Sequence, residues 1–127
     1  MTHLILSELS QTYATTGKPA LNRLNLEIES GQLNALLGPS GCGKTTAMKM
    51  IAGILTPTSG DILFDGTSVL PIPAERRGAV MVFQNYLLFA YMSVGDNVGF
   101  GLKMARVNKS TIEKKVNEML ELVQLPG

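Results

Sequence analysis

The stretch GPSGCGKTT, residues 38–46, limits the possible folds more than any other part of this sequence. It matches the pattern G-x-x-x-x-G-K-[ST] at Gly38, Gly43, Lys44 and Thr45. Glycines let the backbone curl until several N–H groups point at one anion, and the positive end of a following helix adds to that attraction. The pattern therefore predicts a phosphate-binding loop between a strand and a helix.

This loop chemistry predicts ATP and Mg²⁺ as ligands. In such loops the lysine ammonium reaches the β- and γ-phosphates and the threonine hydroxyl binds Mg²⁺, roles that fall here to Lys44 and Thr45. Cys42 has no histidine near it in sequence, so we interpret it as a small loop residue rather than a nucleophile. The loop residues predicted to surround the nucleotide are Gly38, Pro39, Ser40, Gly41, Cys42, Gly43, Lys44, Thr45 and Thr46.

The segments around the loop carry strand and helix patterns. HLILSEL and LNRLNLEIE alternate apolar with polar residues, which predicts an antiparallel ribbon. LNALLG at 33–38 and AVMVFQ at 79–84 are apolar runs typical of strands buried on both faces. The helical spacing of Met48, Ile51 and Leu55 predicts a helix from Lys44, with a stop at Gly53.

Two aspartates and the C-terminal segment complete this reading. GDILFDG predicts a short strand in a hairpin with Asp65 in its turn, and SVGDNV predicts a helix start at Asp96. Neither position is a convincing magnesium carboxylate. NKSTIEKKVNEMLELVQL places its apolar residues on one helix face, and Ser110 and Glu113 are spaced as a capping box.

Composition excludes several classes of protein. A chain of 127 residues fits one domain, and a net charge of +1 without a basic block argues against nucleic-acid binding. The single cysteine excludes an internal disulfide framework and fits a reducing compartment. The N-terminus lacks a signal-peptide pattern, and no apolar run reaches the ~18 residues of a membrane span, so we expect a soluble, cytosolic protein.

Two long stretches resemble the N-terminal half of ATP-binding-cassette (ABC) transporter ATPases, specifically importer ATPases of the maltose, polyamine and ferric-iron type. They are LEIESGQLNALLGPSGCGKTTAMKMIAGILTPTSGDILFDG and ERRGAVMVFQNYLLFAYMSVGDNVGFGLKM. The resemblance implies an α/β P-loop NTPase fold of the ABC ATPase type, truncated, with an antiparallel β-subdomain, an incomplete parallel core and the start of a helical subdomain. Residues 1–127 would form the N-terminal part of one ATPase domain, with the phosphate loop at 38–46, a glutamine loop near 84 and the helical subdomain from about 93.

The resemblance also implies roles for single residues. Tyr13 matches the aromatic residue that stacks on adenine, and Gln84 matches the glutamine that reaches Mg²⁺ and the attacking water; Lys44 and Gln84 would be the catalytic residues. The segment NYLLFAYMS matches the region that receives a helix of the membrane subunit, although its side chains could equally pack inside the helical subdomain. Its apolar residues are Tyr86, Leu87, Leu88, Phe89, Tyr91 and Met92.

The sequence departs from the family pattern in places. Ala90-Tyr91 stands where the family usually has Pro-His, and Ala47-Met48 where it has Leu-Leu. The family's signature sequence, its strand ending in Asp-Glu and its switch histidine do not occur in these 127 residues. We therefore expect a nucleotide-binding half-site that by itself does not hydrolyse ATP and is marginally stable or prone to association.

The implied function is that of an energy-coupling ATPase subunit of an importer, peripheral on the cytoplasmic face of the cell membrane. Its expected partners are transmembrane permease subunits and a second ATPase subunit paired head to tail. Two alternatives remain at this stage: a short non-catalytic nucleotide-binding module, and a small P-loop kinase. A kinase would need arginines in a lid after the second apolar run, whereas Arg76 and Arg77 precede it. ABC ATPases of DNA repair or ribosomes are disfavoured by the importer-like run from Arg76 to Leu102.

Overall fold

Backbone pairing produces one antiparallel sheet in a computed structural model that describes residues 2–14 and 17–125. The strands are β1 (Leu4–Thr12), β2 (Pro19–Ile28), β3 (Ser59–Phe64) and β4 (Thr67–Ser68). Their order is β2-β1-β3-β4, with antiparallel pairing throughout. The predicted ribbon is confirmed as the β1–β2 pair, and the predicted hairpin as β3–β4 with Asp65 in its turn. The chain divides into two units, residues 1–82 and 83–127, and each is described by itself.

The core of the first unit lies between the sheet and a short helix. Helix α1 (Lys44–Ile51) begins directly after the glycine-rich loop, as predicted, and ends before Gly53. Its residue Met50 is fully buried with Leu6 and Leu9 of β1 and Ile62 of β3. An isolated helix of eight residues is unstable in water, so this burial holds α1 in place.

The strands bend where β1 departs from regular pairing. The register shifts between Leu6 and Leu9, where Glu8 has a positive φ of 49° and forms an ion pair with Arg23. Across from this bulge, a Cβ on Gly60 would lie 2.5 Å from the Glu8 carbonyl oxygen. Gly60 therefore allows β3 to approach the bulged strand more closely than any other residue would.

The prediction of two buried strands at 33–38 and 79–84 is wrong for this structure. Neither run forms a strand, and Leu37 and Val80 are each 91% exposed. An apolar run becomes a buried strand only when a neighbouring strand pairs with its N–H and C=O groups. No described residue supplies that pairing, so the expected parallel core is absent from the described part of the chain and its sheet is wholly antiparallel.

An apolar cleft marks the side of α1 that the sheet leaves uncovered. It has a volume of about 300 Å³ and lies between the helix, at Met48 and Ile51, and the segment from Ala79 to Val82. Met48 itself is exposed. Helix α1 therefore borders an apolar cleft on the side that carries Met48 and Ile51.

The second unit is a pair of helices, α2 (Val94–Met104) and α3 (Lys109–Leu122). They approach closely at Gly99, where an added Cβ would lie 3.0 Å from Ile112 and 3.1 Å from Val116. The predicted helix start at Asp96 is confirmed: the Ser93 hydroxyl caps the Asp96 N–H and donates to the Asp96 carboxylate.

The predicted cap of α3 is wrong: the N-cap is Asn108, two residues before the predicted Ser110. Asn108 precedes the helix, and its Oδ1 accepts the Thr111 N–H at 2.9 Å and the Ser110 hydroxyl at 2.9 Å. Asn is among the best N-cap residues, and here it competes successfully with the Ser110 and Glu113 capping box. Ser110 therefore lies inside the helix.

We expect the uncovered apolar runs to cause self-association. Replacing Leu33 and Val80 together by serine should shift the sedimentation-velocity distribution towards monomer, because each large apolar side chain removed from water contributes about 1.5–3 kcal/mol. Leu122→Ser, which removes an exposed leucine from α3, is the matched control and should leave the distribution unchanged. A wild-type chain that stays monomeric over the micromolar range would contradict this prediction.

Candidate functional site

The glycine-rich loop runs from residue 38 into the first turn of α1, and its glycines are required by its geometry. Gly41 and Gly43 have positive φ values of 81° and 93°. A Cβ on Gly43 would lie 2.5 Å from the Ala20 carbonyl oxygen of β2. The loop therefore rests directly on the backbone of the sheet at this residue, and only glycine fits there.

Lys44 turns back into the loop. Its Nζ donates hydrogen bonds to the carbonyl oxygens of Gly38 at 2.7 Å and Pro39 at 2.8 Å, and lies 3.3 Å from the Cys42 sulfur. The Lys44 ammonium, which is predicted to bind phosphate, therefore lies inside the loop. The hydrogen bond from Lys44 lowers the pKa of the exposed Cys42 thiol.

The start of α1 is left open to an anion. Gly43 is the N-cap, and among the described residues 2–14 and 17–125 no side chain caps the first N–H groups of the helix. No acidic residue lies in the first turn. Thr45 in that turn is exposed. Open N–H groups, a neighbouring ammonium and an accessible hydroxyl form a donor set that suits a phosphate group with its magnesium ion.

Tyr13 lies beside this loop. It directly follows β1, and its hydroxyl oxygen is 3.4 Å from the hydroxyl oxygen of Thr46. The ring is partly open, with 38% of the residue exposed. The antiparallel ribbon therefore brings Tyr13 next to Thr46 of the loop, which is 33 residues away in the sequence.

Gln84 belongs to the second unit, where it lies exposed in a turn. The apolar segment that follows it is also largely exposed, with Tyr86, Leu88 and Tyr91 the most open side chains. Met92 is half-buried, and the ring of Phe89 lies 4.4 Å from that of Phe100 between centroids. Phe89 and Met92 therefore pack in part within this unit, while the predicted docking of a membrane subunit on the exposed side chains stays a prediction.

Asn97 is a residue of this region that the sequence did not single out. Its side chain accepts the Phe89 N–H at 2.9 Å and lies within hydrogen-bond distance of the carbonyl oxygens of Phe89, Met92 and Ser93. It therefore holds the end of the apolar segment against the start of α2. The only available signal is its position four residues after the helix cap Ser93, which is too common to be diagnostic.

Two other features of the described residues lie apart from the loop. A cleft of about 670 Å³ separates α2 from α3, with Asp96, Lys103 and Glu113 among its lining residues. His3 pairs with Glu27 at 2.9 Å and lies 3.9 Å from Glu29. These contacts are a surface hydrogen bond and a longer polar approach.

Comparison with known proteins identifies the family. Residues 21–127 match the family described as "ABC transporter". The chain belongs to the ABC transporter family. None of the helices in residues 2–14 and 17–125 of this ABC chain has the length and apolar character needed to cross a membrane.

Curated relatives of this ABC chain are importer subunits. The sulfate/thiosulfate import ATP-binding protein CysA of Pectobacterium atrosepticum is 56% identical over 110 residues, covering 84% of this chain and 33% of the relative. The Fe(3+) ions import ATP-binding protein FbpC of Pasteurella multocida is 46% identical, covering 98% and 35%. The spermidine/putrescine import ATP-binding protein PotA of Nitrosospira multiformis is 50% identical, covering 87% and 31%. The chain spans about a third of the length of these relatives.

A solved structure supports the fold. The ATP-binding cassette MJ0796, in a dimeric structure bound to ADP and Pi, superposes with a TM-score of 0.81, covering 95% of this chain and 57% of that one. At 23% identity the likeness shows the fold, which is the truncated α/β fold of ABC ATPases.

We expect Cys42 to react with iodoacetamide at lower pH than an ordinary thiol does. The ammonium of Lys44 stabilises the thiolate, so the pH midpoint of the alkylation rate should lie below that of the Lys44→Met variant. Cys42 is the single cysteine, so the measured rate belongs to it alone. Identical midpoints in the two proteins would show that the contact does not persist in solution.

Proposed function

We propose that this chain is the nucleotide-binding part of the ATP-binding subunit of an ABC importer, which couples ATP binding and hydrolysis to solute uptake. The observation that carries the proposal is the loop at 38–46, with the Lys44 ammonium inside it and the uncapped start of α1 beyond it. The names of the relatives, which are import ATP-binding proteins of sulfate, iron and polyamine systems, support the importer class.

Phosphate binding follows from an exchange of partners at Lys44. When ATP enters, the ammonium leaves the Gly38 and Pro39 carbonyl oxygens and donates to the β- and γ-phosphate oxygens. Hydrogen bonds to charged groups are stronger than those to neutral carbonyls, so the exchange favours the bound state. The open N–H groups at the start of α1 add to the attraction.

Mg²⁺, when bound with ATP, neutralises charge that develops on the phosphates. Thr45 offers an exposed hydroxyl oxygen in the first turn of α1, a ligand of the type that Mg²⁺ prefers. Gln84 would supply a neutral amide oxygen for the ion and the attacking water, a role that rests on the family resemblance. A neutral group can bind or release the ion without leaving a charge buried.

Tyr13 receives the base. Its partly exposed ring stands next to Thr46, at the edge of the loop where the nucleotide would extend away from its phosphates. Stacking of a base on an aromatic ring contributes about 1–3 kcal/mol. Tyr13 therefore favours a nucleotide over inorganic phosphate.

Binding without turnover is the activity we propose for the chain by itself. Asp65 lies in the β3–β4 turn, where its carboxylate accepts the His3 N–H at 2.8 Å. Asp96 is held by the cap of α2. Both aspartates considered from sequence are thus engaged in local contacts. We propose Lys44 and Gln84 as the catalytic residues that this chain contributes.

The partners we propose are permease subunits and a second ATPase subunit, with the protein peripheral on the cytoplasmic face of the membrane. The exposed aromatic residues of the segment from Tyr86 to Tyr91 support the first, because such patches mark protein interfaces. The dimeric cassette MJ0796 supports the second.

We expect the Lys44→Ala variant to lose Mg-ATP affinity by roughly tenfold to a hundredfold. A hydrogen bond to a charged group contributes about 1.5–3 kcal/mol, and about 1.4 kcal/mol corresponds to a tenfold change. Isothermal titration calorimetry of the full chain measures this directly. Lys49→Ala, a change of the same type at the other end of α1, is the matched control and should bind as wild type does.

Two results would overturn the proposal. One is the absence of measurable Mg-ATP binding to the folded wild-type chain, and the other is equal affinity in the wild type and Lys44→Ala. Turnover of ATP by the purified chain that is lost in Lys44→Ala would contradict only the claim that the chain binds without hydrolysing.

A further inference from the structure

The C-terminal end of α1 is closed by its own backbone in a specific way. Gly53, with a positive φ of 81°, donates to the Met50 carbonyl oxygen at 3.1 Å, and the Ile54 N–H donates to the Lys49 carbonyl oxygen at 2.9 Å. This is a Schellman motif. It leaves the Ile51 carbonyl and a second lone pair on the Met50 carbonyl available for other donors.

The Arg77 guanidinium takes both of those positions. Its Nη1 donates to the Met50 carbonyl oxygen at 2.8 Å and lies 3.4 Å from that of Ile51, while its Nε donates to the Ile72 carbonyl oxygen at 2.8 Å. Arg77 therefore joins the end of α1 to the chain segment that follows the sheet. A cation at the C-terminal end of a helix is also favoured by the helix dipole.

The contact between Arg77 and the end of α1 is partly buried rather than exposed on the surface. The Arg77 side chain is partly buried, and desolvation lowers the pKa of its guanidinium, so carbonyl oxygens replace the water it has lost. A Cβ at position 53 would lie 2.8 Å from Arg77 Nε and 3.0 Å from Cζ. Gly53 thus serves both the turn and the close approach of the guanidinium.

We infer that Arg77 is a positioning residue for nucleotide binding, acting on the phosphate loop through the opposite end of helix α1. The helix is eight residues long, borders an apolar cleft at Met48 and Ile51, and carries Lys44 and Thr45 at its first two positions. A short helix moves as a unit when one end is released, so a shift at Met50 changes where the loop donors lie. This inference rests on the proposed function, because the ligand it concerns is Mg-ATP.

The experiment compares four purified chains of residues 1–127 by isothermal titration with Mg-ATP. Arg77→Met, which keeps the side-chain length and removes every donor, should weaken binding by about threefold to tenfold. Arg76→Met is the matched control at the neighbouring, exposed arginine and should bind as wild type does. Arg77→Lys retains a cation that can donate to the last helix carbonyls, and should recover affinity to within about threefold of wild type.

Amide hydrogen exchange of residues 47–53 supplies a readout that does not depend on the nucleotide. These amides should exchange faster in Arg77→Met than in Arg76→Met. If the wild type does not bind Mg-ATP, the proposed function fails while faster exchange still supports the role of Arg77 at the helix end. If Arg77→Met does not fold, Arg77→Gln takes its place with the same expected loss.

Three results would overturn the inference. The first is wild-type affinity in folded Arg77→Met, and the second is an equal loss in Arg76→Met. The third is an Arg77→Lys variant as weak as Arg77→Met with unchanged exchange in residues 47–53.

Discussion

The burial of Met50 against β1 and β3 is the contact on which the rest of the structure depends. It fixes a helix too short to stand alone, and the phosphate loop is the N-terminal extension of that helix. The same sheet carries Tyr13 at the end of β1 and offers the Ala20 carbonyl of β2 as the floor beneath Gly43. One small core therefore sets the positions of Tyr13, the glycine-rich loop and the helix together.

Local signals in the sequence predicted these parts well. Glycine positions, helical spacing from Lys44 and the alternation in the first two strands each describe interactions among near neighbours, and all three are confirmed. The hairpin turn at Asp65 and the helix start at Asp96 were predicted for the same reason. The roles of Tyr13 and Gln84 came from the family resemblance and remain predictions, although the ribbon does bring Tyr13 to the loop.

The incorrect predictions share a physical cause. In each case the hydrogen-bond partner of a residue lies outside the sequence segment from which the prediction was made. The apolar runs at 33–38 and 79–84 have the composition of buried strands, but a strand also needs a neighbour for its backbone, and composition does not reveal whether one is present. Ser110 and Glu113 have capping-box spacing, yet Asn108 just before them is a stronger cap. Arg77 gave no signal at all, because nothing in its surroundings identifies carbonyls 26 and 27 residues earlier as its partners.

The hydrogen bonds of Lys44 to its own loop have a consequence for how affinity is set. In the structure the ammonium is bonded to the Gly38 and Pro39 carbonyls, and under the proposed function it has to leave them before it can meet a ligand. Apparent affinity equals the intrinsic affinity scaled by the fraction of molecules in which the ammonium has left them. The Gly38 and Pro39 carbonyls thus compete with the ligand for the Lys44 ammonium. A substitution that does not contact the nucleotide can therefore change its affinity by strengthening or weakening these two hydrogen bonds.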